Sequence, residues 1–365
     1  MDALSSATRV EEYLVQSATE KRIPLGGSLE LLPLCNMNCD MCYVRLSREE
    51  MERKGRIRSV DEWVALAEEM RSQGVLFLLL TGGEPLLYVG FKELYLKLLQ
   101  MGMIVTINTN GTLIDENWAE FFGTHKPRRI NITLYGKDED TYESLCHYRA
   151  GFYKTLRGIE LLKKQNVDVK LNGSLTIENC DTVERLMDIA DELGVPIQID
   201  TYMYPASRER DKGFQEETRL DPEEAAKAKI RIAKHRLGEE FSSYCEQIWT
   251  RGHLPEPETA ECSIRCRAGK SSFVITWQGK MMPCTMMQGI AYDVFDMGFA
   301  ASWSNMVEAV ECIKVSENCA LCAQREICQS CAACAMLETG DYDGTPEYLC
   351  RFTKTLLEGI EHGRK

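Results

Sequence analysis

The sequence predicts an α/β fold, a partial (β/α)6 barrel followed by a cysteine-rich C-terminal domain. From residue 28 to about residue 202, short apolar segments alternate with amphipathic helical segments, the signature of βαβ units on a parallel sheet. Beyond Cys262 the cysteines become dense, which marks a second domain. Six units rather than the eight of a closed barrel imply an open barrel with room for a bulky substrate at its side.

The six strands are predicted from apolar or β-branched segments bounded by turn residues. They fall at 28–32, 75–80, 104–108, 130–135, 168–177 and 197–202. Helices between them are predicted from apolar spacing of three and four residues, at 59–74, 91–101, 115–122, 152–165 and 182–193. The resulting organisation is a helical arm over 1–25, the barrel over 26–204, a helical linker over 205–258 and the cysteine-rich domain over 259–365.

Composition narrows the class of protein. The chain has 365 residues, of which 44% are hydrophobic and 27% charged, as in ordinary globular proteins. Its longest apolar run, 75–80, is too short to cross a bilayer, and no basic segment followed by an apolar one opens the chain. We therefore expect a cytoplasmic protein with no membrane partner. The net charge of -13 disfavours nucleic acid as a partner.

Sixteen cysteines without an export signal indicate metal or cluster ligands rather than disulfides. Cys35, Cys39 and Cys42 follow the first strand, with three and then two residues between them. Three such thiolates can hold three corners of one cubane iron-sulfur cluster and leave the fourth iron open to bind another molecule. The spacing alone also permits most of a zinc site or free thiols.

A glycine-rich loop, Gly82-Gly83-Glu84-Pro85, follows the second strand. Glycines let a backbone approach a ligand closely, and the carboxylate could accept hydrogen bonds from an ammonium group. A plain tight turn is the alternative. The position at the carboxyl end of a parallel strand, one strand after the cysteine loop, favours ligand binding.

Together the cysteine loop, the Gly-Gly-Glu-Pro loop and the six units resemble the radical S-adenosylmethionine (radical SAM) superfamily, whose barrels are TIM-like. The resemblance implies that Cys35, Cys39 and Cys42 hold a 4Fe-4S cluster whose open iron binds SAM. It also implies SAM contacts, which fall on Gly82, Gly83 and Glu84, with Asn108, Asn110 and Asn172 as candidates for the methionine or ribose end. In one departure from the family pattern, Met41 stands where an aromatic residue is common.

The C-terminal cysteines resemble the SPASM extension of radical SAM enzymes, which holds two auxiliary 4Fe-4S clusters; two zinc sites are the alternative. The first ligand set would be Cys262, Cys266, Cys284 and one late cysteine. The second would be Cys319, Cys322, Cys328 and Cys350. The family's usual spacing puts the late ligand at Ala332, which cannot ligate, so we favour Cys331, with Cys334 as the alternative.

The resemblance implies an enzyme that cleaves SAM to a 5'-deoxyadenosyl radical and modifies a peptide, through a thioether or carbon-carbon cross-link in a ribosomally made precursor. An electron donor such as flavodoxin or ferredoxin is expected. Because the N-terminal arm is short, precursor recognition would need the barrel mouth, the acidic linker or a separate precursor-recognition protein. Alternatives are a sulfatase-maturing, formylglycine-forming dehydrogenase, an enzyme acting on a sugar or small metabolite, and a non-catalytic metal-binding partner protein. No catalytic acid or base is identified.

Overall fold

The computed structural model describes residues 9–205, 208 and 218–364. The strands are β1 Gly26–Glu30, β2 Phe77–Thr81, β3 Ile104–Thr109, β4 Arg129–Thr133, β5 Val169–Ser174, β6 Ile197–Asp200, β7 Ser272–Ile275, β8 Lys280–Met282 and β9 Tyr292–Asp293. The helices are α1 Arg9–Lys21, α2 Arg48–Lys54, α3 Val60–Ser72, α4 Phe91–Gln100, α5 Glu116–Thr124, α6 Glu139–Cys146, α7 Gly151–Lys164, α8 Val183–Leu193, α9 Pro222–Leu237, α10 Phe241–Gly252, α11 Val294–Met297, α12 Phe299–Glu311, α13 Glu317–Ala320, α14 Ala332–Thr339 and α15 Glu347–Gly363.

All nine strands form one sheet in the order β6-β5-β4-β3-β2-β1-β7-β8-β9. The strands from β6 to β7 are mutually parallel, and β8 and β9 form an antiparallel extension. The predicted fold class, six parallel strand and helix units with a cysteine-rich C-terminal region, is confirmed. The sequence did not predict that β7, from the C-terminal region, would pair with β1 and continue the barrel sheet.

The first strand begins and ends two residues earlier than predicted. Leu31 and Leu32 belong to the loop after β1, although both are almost fully buried. Leu31 still donates its backbone N–H to the Thr81 carbonyl at 2.9 Å, so the loop leaves β1 alongside β2. Burial of an apolar side chain therefore extends beyond the strand here, and the apolar run alone could not locate the strand end.

Among the helices of the described residues, α2, α6 and α10 to α15 were not predicted. Helix α15 packs along α9 and α10, so the C-terminal helix covers the segment predicted as a linker. Within that segment, residues 206–207 and 209–217 lie outside the described residues, as do residues 1–8 of the predicted arm. The proposed domain boundaries stay predictions. In the described part of the chain, no helix has the length and apolar character needed to span a bilayer.

The sheet has one buried face and one open face. Side chains alternate along each strand, and residues opposite each other in register share a face. The buried face carries aliphatic residues such as Val105, Ile130 and Leu171. The half-buried and exposed residues of the open face, from β2 to β6, are Phe77, Leu79, Thr81, Ile104, Thr106, Asn108, Arg129, Asn131, Thr133, Lys170, Asn172, Ser174, Gln198 and Asp200. Apart from Ile104 at the start of β3, this open face is polar from β3 onwards.

Candidate active site

The three cysteines of the predicted cluster loop lie in the loop after β1, at the carboxyl edge of the sheet. Cys39 is buried, and Cys35 and Cys42 are half-buried. Burial, and then the nearby Glu84 carboxylate, raise the pKa of Cys35 to about 12, although the Met37 N–H lies 3.4 Å from its sulfur and acts the other way. A protonated thiol there needs a strong local positive charge to ionise, and a bound metal supplies it, since coordinating thiols lose their protons. The donor set therefore fits an iron-sulfur cluster.

Helix α6 fastens this loop from one side. The backbone N–H groups of Asn38 and Asp40 donate to the carbonyls of Cys146 and Leu145, at 3.1 and 3.0 Å. The Asp40 carboxylate also lies 2.7 Å from Nε2 of His147. These bonds use carbonyls at the C-terminus of α6 that the helix itself leaves without partners. The end of α6 thus sets the path of the backbone through the cysteine loop.

The buried thiol of Cys146 makes a hydrogen bond with Cys39, and burial is the main reason that its pKa lies well above the usual value. No functional role was predicted for Cys146 from the sequence. No signal in the sequence could have shown this contact, because about a hundred residues separate the two cysteines and helix α6 was not predicted.

The two glycines of the Gly-Gly-Glu-Pro loop let it pack against the cluster loop. The Gly83 N–H donates to the Leu32 carbonyl at 2.7 Å. A Cβ atom on Gly83 would lie 2.3 Å from the Leu34 carbonyl oxygen, and one on Gly82, where φ is +146°, would lie 2.5 Å from the Leu32 oxygen. Only glycine allows this approach. The predicted SAM contacts Gly82 and Gly83 therefore lie directly beside the cysteine loop.

The carboxylate of Glu84 is fully buried and accepts three hydrogen bonds from the protein. The donors are Thr109 Oγ1 at 2.7 Å, the Asn110 N–H at 2.8 Å and the Leu86 N–H at 3.1 Å. Burial raises the pKa of Glu84 to about 7 in spite of these donors. The carboxylate thus joins the loop after β2 to the end of β3. A contact between Glu84 and SAM stays a prediction.

Of the three predicted asparagines, Asn110 reaches the cluster loop. Its Nδ2 donates to Asn36 Oδ1 at 2.9 Å and lies 3.7 Å from the Cys35 sulfur. Asn36 in turn donates to Thr112 Oγ1 at 2.8 Å. Asn36 and Thr112 were missed, although Asn36 lies inside the cysteine motif and was open to consideration from the sequence.

Asn108 and Asn172 lie apart from Asn110, on the open face. Asn108 Oδ1 accepts a hydrogen bond of 2.8 Å from Asn131, its register partner on β4. Asn172 lies opposite Thr133 and Gln198 in the neighbouring strands. These amides line the surface that a substrate at the carboxyl edge of the sheet would meet.

A buried ion pair lies at the β1 end of the sheet. The Arg208 guanidinium binds the Glu30 carboxylate through two hydrogen bonds of 2.5 and 2.7 Å, and both side chains are at least 97% buried. The guanidinium also lies over the Tyr43 ring, 5.3 Å from its centroid. No role was predicted for these residues from the sequence.

The C-terminal cysteines form two neighbourhoods. Burial chiefly raises the pKa of Cys284 to about 11, and repulsion from Cys331 and Cys266 adds to it. The pKa of Cys350 is raised by burial and then by Cys328, Cys319 and Cys322, the other predicted ligands of the second set. Six predicted ligands line one cavity of about 450 Å³: Cys266, Cys319, Cys322, Cys328, Cys331 and Cys350.

Cys262 and Cys284 do not line this cavity. Among the residues that the structure describes, no group of three or more Cys, His, Asp or Glu side chains surrounds a single point as one metal ion would require. The predicted ligand sets therefore stay predictions.

Residues 29–193 match the model of the radical SAM superfamily. The chain is 25% identical to the AdoMet-dependent heme synthase of Methanosarcina barkeri, over 86% of this chain and 92% of that protein. It is 24% identical to the sporulation killing factor maturation protein SkfB of Bacillus subtilis, over 66% of this chain and 59% of that protein.

Solved structures show the same fold. SuiB of Streptococcus suis matches with a TM-score of 0.68 and 16% identity, over 93% of this chain and 80% of that chain. The protein anSMEcpe with bound AdoMet and Cp18Cys peptide matches with a TM-score of 0.69 and 19% identity, over 93% and 97% of the two chains.

The three-cysteine loop and the glycine-rich loop, in contact at the carboxyl edge of the parallel sheet, both lie within residues 29–193. This region is a radical SAM domain, the part of such enzymes that generates radicals from SAM. A domain of this kind implies a SAM-binding 4Fe-4S cluster and SAM itself as cofactors.

Proposed function

We propose that this radical SAM enzyme modifies a peptide, cross-linking a ribosomally synthesised precursor through a thioether or carbon-carbon bond. The observation that carries the proposal is the open face of the sheet. From β3 to β6 it presents amides and hydroxyls, with Asn108, Asn131 and Asn172 at neighbouring register positions. Amide side chains both donate and accept, so they can pair with the N–H and C=O groups of a peptide backbone.

Cys35, Cys39 and Cys42 would hold the SAM-binding cluster at the edge of this face. When bound, the cluster would supply the electron that splits SAM into methionine and a 5'-deoxyadenosyl radical, which takes a hydrogen atom from the substrate. The residues around it have their own roles. Asn110 would orient the Cys35 sulfur, and Gly82 and Gly83 would keep the backbone of the glycine-rich loop close to the cysteine loop.

The C-terminal neighbourhoods of cysteines support two auxiliary clusters as the finer proposal. Cys262, Cys266, Cys284 and Cys331 would hold one, and Cys319, Cys322, Cys328 and Cys350 the other. Such clusters could take up the electron that remains on a substrate after hydrogen abstraction. A flavodoxin or ferredoxin would reduce the first cluster, and a separate protein would present the precursor.

Relatives support a peptide substrate. SkfB is a maturation protein of the sporulation killing factor, and AlbA of Bacillus subtilis, 24% identical over 83% of this chain and 65% of that protein, is an antilisterial bacteriocin biosynthesis protein. SuiB has also been solved with its precursor peptide SuiA. The same SAM-binding cluster and auxiliary clusters would also serve the alternative modification, that of a sulfatase maturase, in which a side chain is oxidised without a cross-link.

A second candidate is a tetrapyrrole substrate, because the heme synthase relative covers most of both chains. A tetrapyrrole is a broad apolar ring with carboxylates at its rim. The apolar residues of the open face are confined to β2 and the start of β3, at Phe77, Leu79 and Ile104. Its two cations have partners: Arg129 pairs with Asp168 at 2.8 Å, and Lys170 donates to Gln198 Oε1 at 2.6 Å. The polar face therefore favours the peptide.

The test combines anaerobic reconstitution of the enzyme with its co-expression with short open reading frames that neighbour its gene. We expect about twelve irons per chain for three clusters, formation of 5'-deoxyadenosine, and a peptide that loses the mass of one hydrogen molecule per cross-link. The Cys35→Ala variant should leave the peptide unchanged. An unchanged peptide with the wild-type enzyme, or turnover of an iron tetrapyrrole instead, would refute the peptide assignment.

A further inference from the structure

Several hydrogen-bonding groups surround the sulfur of Cys331, at the start of α14. The Cys334 N–H donates to it at 3.4 Å, the Cys334 sulfur lies 3.4 Å away, and the Tyr204 hydroxyl oxygen lies 4.0 Å away, within reach of a hydrogen bond to sulfur. Cys331 is half-buried and lines the cysteine cavity, whereas Cys334 is 1% exposed and does not line it. The two adjacent thiols therefore have different surroundings.

These surroundings assign different roles to the two thiols. A metal-bound cysteine has lost its proton and can only accept hydrogen bonds. If Cys331 is the ligand, then the remaining S–H in the pair belongs to Cys334, and it must donate towards Cys331. The Tyr204 hydroxyl, 4.0 Å from the same sulfur, likewise serves as a donor to it.

Tyr204 connects this sulfur to the barrel. It lies four residues after the end of β6, at the carboxyl edge of the sheet where the open face ends. Its ring packs edge-on against Tyr202, with the centroids 5.0 Å apart. The Tyr202 hydroxyl donates to Glu338 on α14 at 2.9 Å, so this pair of tyrosines holds α14 against the barrel edge.

We propose that Tyr204 and Cys334 are positioning residues that raise the reduction potential of the auxiliary cluster held by Cys331, the one beside the barrel edge. The inference rests on the proposed function, in that it requires an auxiliary cluster at this place. Reduction adds negative charge to a cluster and its sulfurs, and hydrogen bonds to ligand sulfurs are among the factors that set its potential. Donors aimed at Cys331 favour the reduced form.

The experiment uses the full chain with Cys35, Cys39 and Cys42 changed to alanine, so that only auxiliary clusters are observed. Iron is counted after anaerobic reconstitution, and EPR-monitored redox titration gives the midpoint potential of each cluster. Tyr204→Phe and Cys334→Ala are compared with the parent. Tyr348→Phe is the matched control, because its hydroxyl donates to the Leu220 carbonyl at 2.7 Å and not to a sulfur.

We expect about eight irons in the parent and in all three variants. Tyr204→Phe and Cys334→Ala should each move one midpoint potential to a more negative value, whereas Tyr348→Phe should move neither. Unchanged potentials in both variants, with the iron retained, would overturn the inference and leave the proposed function intact. Loss of one cluster in Cys334→Ala but not in Cys331→Ala would overturn it by making Cys334 the ligand. A parent that binds no iron would overturn the auxiliary clusters of the proposed function as well.

Discussion

The Asn110 N–H donates a hydrogen bond of 2.8 Å to the buried carboxylate of Glu84. Through this bond, the glycine-rich loop after β2 orients the loop after β3. The side chain of Asn110 then reaches Asn36 and the Cys35 sulfur in the loop after β1. Three loops at the carboxyl edge of the sheet are thus joined around one buried charge, and this network makes the site sensitive to pH and to single substitutions.

Glu84 gives stability a specific pH dependence. Burial raises its pKa from 4.5 to about 7, so the folded protein binds this proton more tightly than the unfolded chain does. The contribution of Glu84 to the free energy of unfolding should therefore fall by about 3 kcal/mol as the pH rises from about 4.5 to about 7, and should stay constant above that. Urea unfolding of the iron-free protein across this range, beside Glu84→Gln, checks it. A difference between the two proteins that does not vary with pH would contradict the assignment.

Asn110→Ala should weaken the radical-generating site without unfolding the protein. It removes the amide that lies against the Cys35 sulfur and Asn36. A lost hydrogen bond to a charged group corresponds to about 1.5–3 kcal/mol, so we expect the rate of 5'-deoxyadenosine formation to fall about tenfold or more. Asn117→Ala is the control, because Asn117 is exposed on helix α5 and lies outside the three loops. Equal rates of 5'-deoxyadenosine formation in the two variants would show that Asn110 has no role in radical generation.

Cys146→Ala should loosen the cluster loop, and Cys146→Ser should restore much of the wild-type behaviour. The serine keeps a donor towards Cys39, whereas alanine keeps neither the donor nor the volume. The measurement is the rate at which a chelator removes iron, together with the EPR signal that changes when SAM is added. We expect faster iron release from the alanine variant, by roughly the tenfold that about 1.4 kcal/mol implies. Identical behaviour of the two variants would mean that Cys146 only fills space.

The ion pair of Glu30 and Arg208 should behave as a buried pair in a double-mutant cycle. Removing one partner leaves an uncompensated buried charge, so Arg208→Met should lower the free energy of unfolding by about 3–5 kcal/mol. The double variant Glu30→Gln/Arg208→Met should be much less destabilised, because it buries no charge. Urea unfolding of the four proteins gives the coupling energy, and additive single effects would argue against a buried pair.

The polar residues that the sequence singled out were found partly in the expected place. Gly82, Gly83, Glu84 and Asn110 could be selected because each follows a strand that the periodicity predicts, and parallel strands bring their carboxyl ends to one edge. Asn108 and Asn172 were selected for the same reason, but they lie on the open face. Whether a residue near a strand end lies in the edge loop or on the open face depends on where the strand ends. An apolar run locates that end only within about two residues.

The sequence by itself determined the class of protein. Three closely spaced cysteines, a glycine-rich loop one strand later and six repeating units were visible in it, because ligand spacing and strand periodicity are local properties of the chain. The tertiary structure alone decided which groups surround those ligands. Cys146 meets Cys39, Arg208 meets Glu30, β7 joins β1, and Tyr204 with Cys334 meets Cys331. Most of these contacts join residues a hundred or more positions apart, and they arise from packing of the whole chain, which no local pattern records.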